Sequence, residues 1–378
     1  MGLDYGKPSW VHVMSLRYCP RLGATCGLVC VVLACADPTS PSGPGLVSGV
    51  TYPAWSADGR EILFTSLEPG AGAWVAALKA VNVTSRAVRT IATTATGTST
   101  GGELIRVPPT GGFVFFAIAA WRGPSYVILR VRDAGGQVDT IATDAKWPWF
   151  QVSDDGRLVA YHGGANALNT GGVDSLKVVD GTRAFGAVVR ASPASSGPLA
   201  MWSFSPDGSS LVYWDRRVMQ LDVPSGIATV LYVPPAASVE GTFQSVAGSV
   251  WWQGGHPHLL VDTWVDKRQP TSIYDLDGTT GARTLLGTLL DSEHAPWNMA
   301  WSPDGSHAAI WTSSKSFNCS VEGCSYDARL YLIARGIIGA GVLYDSRGAA
   351  ASPTWTVFSP DGQSVGAVNW GGLFVFSF

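Results

Sequence analysis

The residues that could do chemistry in this chain are few. Past residue 43 there are five histidines, His162, His256, His258, His294 and His307, one cysteine pair, Cys319 and Cys324, and aspartates that recur just before glycine. Three imidazoles converging from different parts of a fold would hold a transition metal. Closely spaced acids, as in Asp275-Leu276-Asp277-Gly278, would suggest calcium, but a calcium loop needs more oxygen ligands and a closing glutamate. Turn formation accounts for these aspartates better. Asp215, Asp262 and Asp291 would serve a lyase or glycosidase if they met in one channel. No Walker loop or dinucleotide-binding glycine pattern occurs. Of two G-x-S-x-G matches, Gly97-Thr98-Ser99-Thr100-Gly101 lies in a Thr/Gly-rich stretch and Gly362-Gln363-Ser364-Val365-Gly366 runs from a turn into an apolar strand. No helical periodicity follows either, so neither reads as a nucleophile elbow. No catalytic residue and no cofactor is expected.

The elements that must position these groups follow from composition and repeats. Of 378 residues 46% are hydrophobic and only 14% charged, with a net charge of −3. That excludes disorder, and without a basic surplus it excludes nucleic-acid binding. Sixteen tryptophans are present, and their positions matter below.

A turn motif recurs along the chain. Its sharp copies are Trp55-Ser56-Ala57-Asp58-Gly59, Phe204-Ser205-Pro206-Asp207-Gly208, Trp301-Ser302-Pro303-Asp304-Gly305 and Phe358-Ser359-Pro360-Asp361-Gly362. Val152-Ser153-Asp154-Asp155-Gly156 is weaker, and Pro109-Thr110-Gly111-Gly112 and Trp252-Gln253-Gly254-Gly255 are degenerate. The final glycines stand at 59, 112, 156, 208, 255, 305 and 362. In each copy a short aromatic strand precedes the turn and an apolar strand follows it. A third strand then ends in another Asp/Gly turn, and a more polar fourth completes the unit. Four strands repeated at ~40–50 residues mark a β-propeller blade, so the fold class is all-β with seven four-stranded antiparallel blades. Only two strands fit after Gly362. The segment Gly45–Thr51 is therefore expected to complete the last blade and close the ring, since an open ring exposes unpaired strand edges.

The repeated [Trp/Phe]-Ser-Pro-Asp-Gly followed by an apolar strand resembles the WD40-like repeats of the TolB-type propeller family. The resemblance covers nearly all of residues 45–378. It implies a propeller that serves as a protein-binding platform in the periplasm, or as a substrate gate on a hydrolase.

The N-terminal region reads as an address. From Met14, read as the true start, a basic stretch with Arg17 and Arg21 leads into an apolar run of about 13 residues, shorter than a membrane-spanning helix. Val32-Leu33-Ala34-Cys35 then resembles a bacterial lipobox, with Cys35 the lipidated residue; an ordinary signal peptide cut nearby is the alternative. Residues 1–35 form this leader, 36–44 a Pro/Ser tether and 45–378 the propeller. An exported, lipid-anchored envelope protein follows, touching the membrane only through its anchor. In that compartment Cys319 and Cys324 read as a disulfide, with a thiolate metal site as the rival.

Propeller topology sorts the remaining candidates. His162 and His294 fall on one face, and His256, His258 and His307 on the other, so no metal triad is expected. Trp121, Trp214, Trp264, Trp311 and Trp370 fall at or just past the ends of second strands, with His162 in the matching place and His294 on the same face. These seven residues form a candidate binding rim, unless the rings only fill gaps between blades. The expectation is a monomeric, non-catalytic platform for another envelope protein or a peptide or glycan ligand. A propeller-type polysaccharide lyase or glycosidase acting at the central channel is the alternative.

Overall fold

The computed structural model describes residues 12–15, 52–69, 74–94, 104–119, 125–164, 175–193, 200–233, 246–263, 271–289, 294–314, 318–320, 323–325, 328–335, 341–345, 355–369 and 372–378. Among them every regular element is a β-strand. They form five four-stranded sheets, one seven-stranded sheet and a two-stranded hairpin. The seven-stranded sheet holds two sequence repeats fused through one strand, Asp139–Val152. Its first half pairs with Tyr126–Arg132 of the second repeat, its second half with Leu158–Gly163 of the third. The first strand of each repeat is an edge strand of its sheet, except where this fusion joins two repeats.

The turn motif builds the same bonds wherever it is sharp. Ser56 Oγ donates to Asp58 Oδ1 at 2.7 Å and accepts from the amide of Glu61 at 2.9 Å. Asp58 Oδ1 accepts from the amide of Arg60, and the amide of Gly59 donates back to the carbonyl of Ser56. The pairs Ser153–Asp155, Ser205–Asp207, Ser302–Asp304 and Ser359–Asp361 repeat this at 2.5–2.6 Å. Each final glycine has φ between 67° and 72°, a region that costs a side-chain-bearing residue ~1–2 kcal/mol. The degenerate second copy corrects the alignment by one residue. Gly111, with φ of 70°, donates its amide to the Pro108 carbonyl, so Gly111 rather than Gly112 matches the other turn glycines.

Apolar residues on both faces of the strands pack the sheets together. In Phe113–Ala119, Val114, Phe116 and Ile118 join a cluster with Leu63 and Leu78 of the first repeat. Phe115 and Ala117 point the other way, to Phe150 and Val159 of the third. Similar clusters join the third repeat to the fourth, the fourth to the fifth, the fifth to the sixth and the sixth to the last. One more joins the last to the first: Trp55, Ile62 and Phe64 pack on Val368, Leu373 and Val375. Trp55 Nε1 also donates to the Val357 carbonyl at 3.1 Å, across 302 residues of chain. Burying one such large side chain contributes roughly 1.5–3 kcal/mol, so every neighbouring pair of repeats shares a substantial joint.

The last sheet departs from expectation. Beside Gly372–Ser377 the fourth place is taken by His12–Ser15, running parallel, with His12 opposite Phe374 and Ser15 opposite Ser377. An unpaired edge accepts whatever strand reaches it, and here the strand comes from the segment read as leader. Residues 45–51, expected in that place, lie outside the described residues.

Candidate functional site

Of the rim expected at the ends of the second strands, two members lie inside the protein. Trp311 and His162 are fully buried, and Trp311 packs between the sixth and last repeats. The second strand lies inside its sheet, between neighbouring sheets, so a ring there fills a joint. Trp214 is half-buried and stacks on Trp202, centroids 6.0 Å apart. His294 opens strand His294–Trp301. Trp121, Trp264, Trp370, Cys35 and Asp291 lie outside the described residues. Cys319 and Cys324 stand directly opposite in the hairpin Asn318–Ser320/Gly323–Ser325. Opposed residues on antiparallel strands have Cα atoms about 4.5–5.5 Å apart, within the span of a disulfide.

The polar candidates also separate. Asp277 Oδ1 accepts the amides of Thr279 and Thr280, as a turn aspartate does. Asp275 behaves differently. Nearly inaccessible, it accepts from His258 Nδ1 at 2.9 Å and from Arg335 Nη2 at 2.6 Å. The Arg335 guanidinium lies over the Trp251 ring, 4.5 Å from its centroid, and Trp251 packs on His258 and Trp301. Gly305 seals the group: a Cβ there would sit 2.2 Å from Trp251 Cε2. This ion cluster locks the fifth repeat to the sixth. His307 bonds Ser306 Oγ and packs on Phe378. Among the described residues no three His, Cys, Asp or Glu side chains gather as a metal-binding group.

The convergent groups sit instead on the first strands. Nine of the sixteen tryptophans lie there: Trp55, Trp147, Trp149, Trp202, Trp251, Trp252, Trp297, Trp301 and Trp355. The described first strands carry no Asp or Glu on Ala54–Trp55, Ile105–Arg106, the Ala145–Val152 half of the shared strand, or their four later counterparts. Side chains tie them from repeat to repeat. Arg106 Nε donates to Gln151 Oε1 at 2.5 Å, and Gln151 Nε2 donates to the Trp202 carbonyl. Trp252 Nε1 donates to Ser203 Oγ at 3.1 Å, and Asn298 Oδ1 accepts from both the amide and hydroxyl of Thr356. Tyr52 bridges to Leu104 and meets Trp355 edge-on at 5.1 Å.

Arg106 is the focus of this girdle. Its guanidinium carbon lies 5.9 Å from the Trp355 centroid, bringing the second repeat onto the last. Its partners are neutral: Gln151 Oε1 and the carbonyl of Ile105. Burial pulls its pKa down to about 10, which still leaves it charged at neutral pH. Towards one end of the same strand as Gln151, Trp147 and Trp149 stack 5.9 Å apart, with Trp147 exposed. Sequence reasoning missed Arg106, though a signal exists. Arg106 and Gln151 stand five residues before Gly111 and Gly156, where other repeats have Ala54, Ser203, Ala300 and Val357. With the degenerate turn read at Gly112, that column was out of register.

A cleft of about 370 Å³ lies elsewhere, among the turns between the first and last repeats, beside Trp55, Arg86 and Asp361.

No protein-family model matches the chain, and no curated protein matches it. Solved structures do. An oligogalacturonate lyase in complex with manganese aligns over 86% of this chain and 87% of its own, at 13% identity and a TM-score of 0.59. The β-propeller domain of the Trilobed protease from Pyrococcus furiosus, described as having an open velcro topology, aligns over 85% and 91%, at 10% identity and 0.54. A TolB from Agrobacterium tumefaciens aligns over 71% and 88%, at 17% identity and 0.43. The likenesses to the lyase and to the protease propeller show the fold and nothing finer: the chain is an all-β protein with the fold of a β-propeller.

Proposed function

We propose that this chain is a seven-bladed propeller whose central channel binds a partner without chemistry. The blade count is supported by seven turn repeats and by the run of apolar joints from each repeat to the next. Ring closure is supported by the joint between Trp55 and the last sheet. In the exported form Cys35 carries lipid, the leader is gone, and Gly45–Thr51 takes over the edge that His12–Ser15 occupies in the full chain. Cys319 and Cys324 form a disulfide across their hairpin.

The observation that carries the binding reading is the make-up of the first strands: the stacked pair Trp147 and Trp149, with Trp147 exposed, one partly accessible arginine, and no Asp or Glu on the stretches named above, while Trp55, Trp202 and Trp301 pack in the joints. Aromatic rings with few polar groups suit recognition. A glycosidase needs two carboxylates about the scissile bond. Asp215 follows a second strand and Asp262 lies within one, so neither stands on a first strand.

The test is crosslinking and pull-down from membranes of the native host, with wild-type protein beside a Trp147→Ala/Trp149→Ala double variant. A stoichiometric envelope protein held by the wild type and lost from the folded variant is the expected result. Turnover of an acidic polysaccharide, abolished by chelation, would overturn it in favour of the lyase. Membrane fractionation of Cys35→Ser tests the anchor, and continued membrane retention would count against lipidation.

A further inference from the structure

We infer that Arg106 is the carboxylate-binding group of the central channel, and that the ligand it takes is the free C-terminal carboxylate of a peptide ending in an apolar or aromatic residue. The inference rests on the binding reading above and names the chemistry of the same site.

The argument starts from charge. A cation drawn part-way out of water is normally paired, because an opposite charge best offsets the hydration it loses, and Arg106 is such a group: partly accessible, with its pKa pulled down by desolvation. The buried Arg130 and the partly exposed Arg335 have such partners, their guanidinium groups meeting Asp139 and Asp275 at 2.6 Å. Arg106 alone among these is held by two neutral oxygens, through Nε and Nη1. Among the described residues Nη2 has no hydrogen-bond partner, so the edge formed by Nη1 and Nη2 keeps donors for a planar acceptor. A carboxylate fits that fork in bidentate fashion. One guanidinium balances one negative charge, whereas a phosphate dianion brings a second with no cation beside it among the described residues.

The surroundings select the body behind the carboxylate. Polar groups at the centre are already committed to one another: Gln151 to Arg106 and Trp202, Asn298 to Thr356, Trp252 to Ser203 and Trp55 to Val357. A sugar acid would bring several hydroxyls with little left to bond them. What remains beside the guanidinium is ring surface, from Trp355 and Tyr52. An apolar or aromatic terminal side chain covers such surface without stranding a polar group.

The test uses the full chain and calorimetric titration with N-acetyl-L-phenylalanine, its neutral amide, and glucuronate. The acid is expected to bind at least tenfold tighter than the amide, with glucuronate at least tenfold weaker than the acid. Arg106→Gln should abolish the preference for acid over amide. Gln151→Glu places a carboxylate against the guanidinium from within, so it should abolish acid binding while raising the melting temperature; this keeps the test sound if Arg106→Gln folds poorly. Equal binding of acid and amide, glucuronate binding as tight as the acid, no binding by the acid, or unchanged acid binding in either folded variant would each overturn the proposal. The binding reading itself fails separately, through the pull-down with the Trp147/Trp149 variant.

Discussion

Two arginines in this molecule lie near tryptophan rings and have opposite surroundings. Arg335, between the fifth and sixth repeats, reaches the buried carboxylate of Asp275, which His258 shares. Arg106, where the first strands gather, has an amide oxygen and a backbone carbonyl. Both guanidinium groups are partly exposed, so the difference is in compensation. At Arg335 the charges are balanced inside the protein, and the result is a joint. At Arg106 the balance is left open, and an open balance beside the rings of Trp355 and Tyr52 is what the proposed binding site offers. Burial alone does not distinguish structure from function here; the counter-ion does.

Substitutions can break that comparison. The largest effect is expected from Asp275→Ala, which leaves Arg335 and His258 facing each other without their shared carboxylate. Urea denaturation should show a loss of about 3 kcal/mol, at the low end for a broken buried pair because Arg335 is partly exposed. Next comes Gly305→Ala, which combines a positive φ with a Cβ driven into Trp251. It should cost ~2–3 kcal/mol, against ~1 kcal/mol for Gly254→Ala, where nothing lies within 4 Å. Arg106→Gln should change stability by less than about 1 kcal/mol, because it removes an uncompensated charge along with two hydrogen bonds. A loss as large as that of Asp275→Ala would make Arg106 a structural residue.

The smallest effect lies in the turns, which belong to neither arginine and set the baseline. The Asp207 carboxyl is held down to about 2 by the Ser205 hydroxyl first and the Ser209 amide next. Asp58 and Asp361 are lowered by the matching hydroxyls and amides. A lowered folded pKa stabilises above the unfolded value of 3.8 and loses that contribution as pH falls toward about 2. The melting temperature should therefore drop as pH falls between about 4 and 2. Asp207→Asn should flatten part of that drop.

The turns were legible in the sequence because their chemistry is local: Ser, Asp and Gly within four residues determine their own bonds. The double-faced apolar strands were legible for the same reason, since Val114-Phe115-Phe116-Ala117 admits no solvent side. Arg106 was not legible. Its meaning depends on Gln151, 45 residues away, and on Trp355 at the far end of the chain. The Asp275 cluster likewise spans residues 251 to 335, and nothing in Asp275-Leu276-Asp277-Gly278 separates the ion-pair acid from the turn acid. The tryptophans misled in one respect. Ends of second strands looked like a rim, yet Trp311 there is packing, and most first-strand rings, such as Trp55, Trp202 and Trp301, pack in joints too.

The fourteen-residue strand Asp139–Val152 has a mechanical consequence. Among the described residues the other neighbouring repeats lie in separate sheets. The second and third are joined by a continuous hydrogen-bonded ladder, so they move as one plate. Arg106 is anchored on one half of that plate and Gln151 on the other. The charged group and its amide neighbour thus sit in one hydrogen-bonded sheet, while the ring of Trp355 beside them belongs to another.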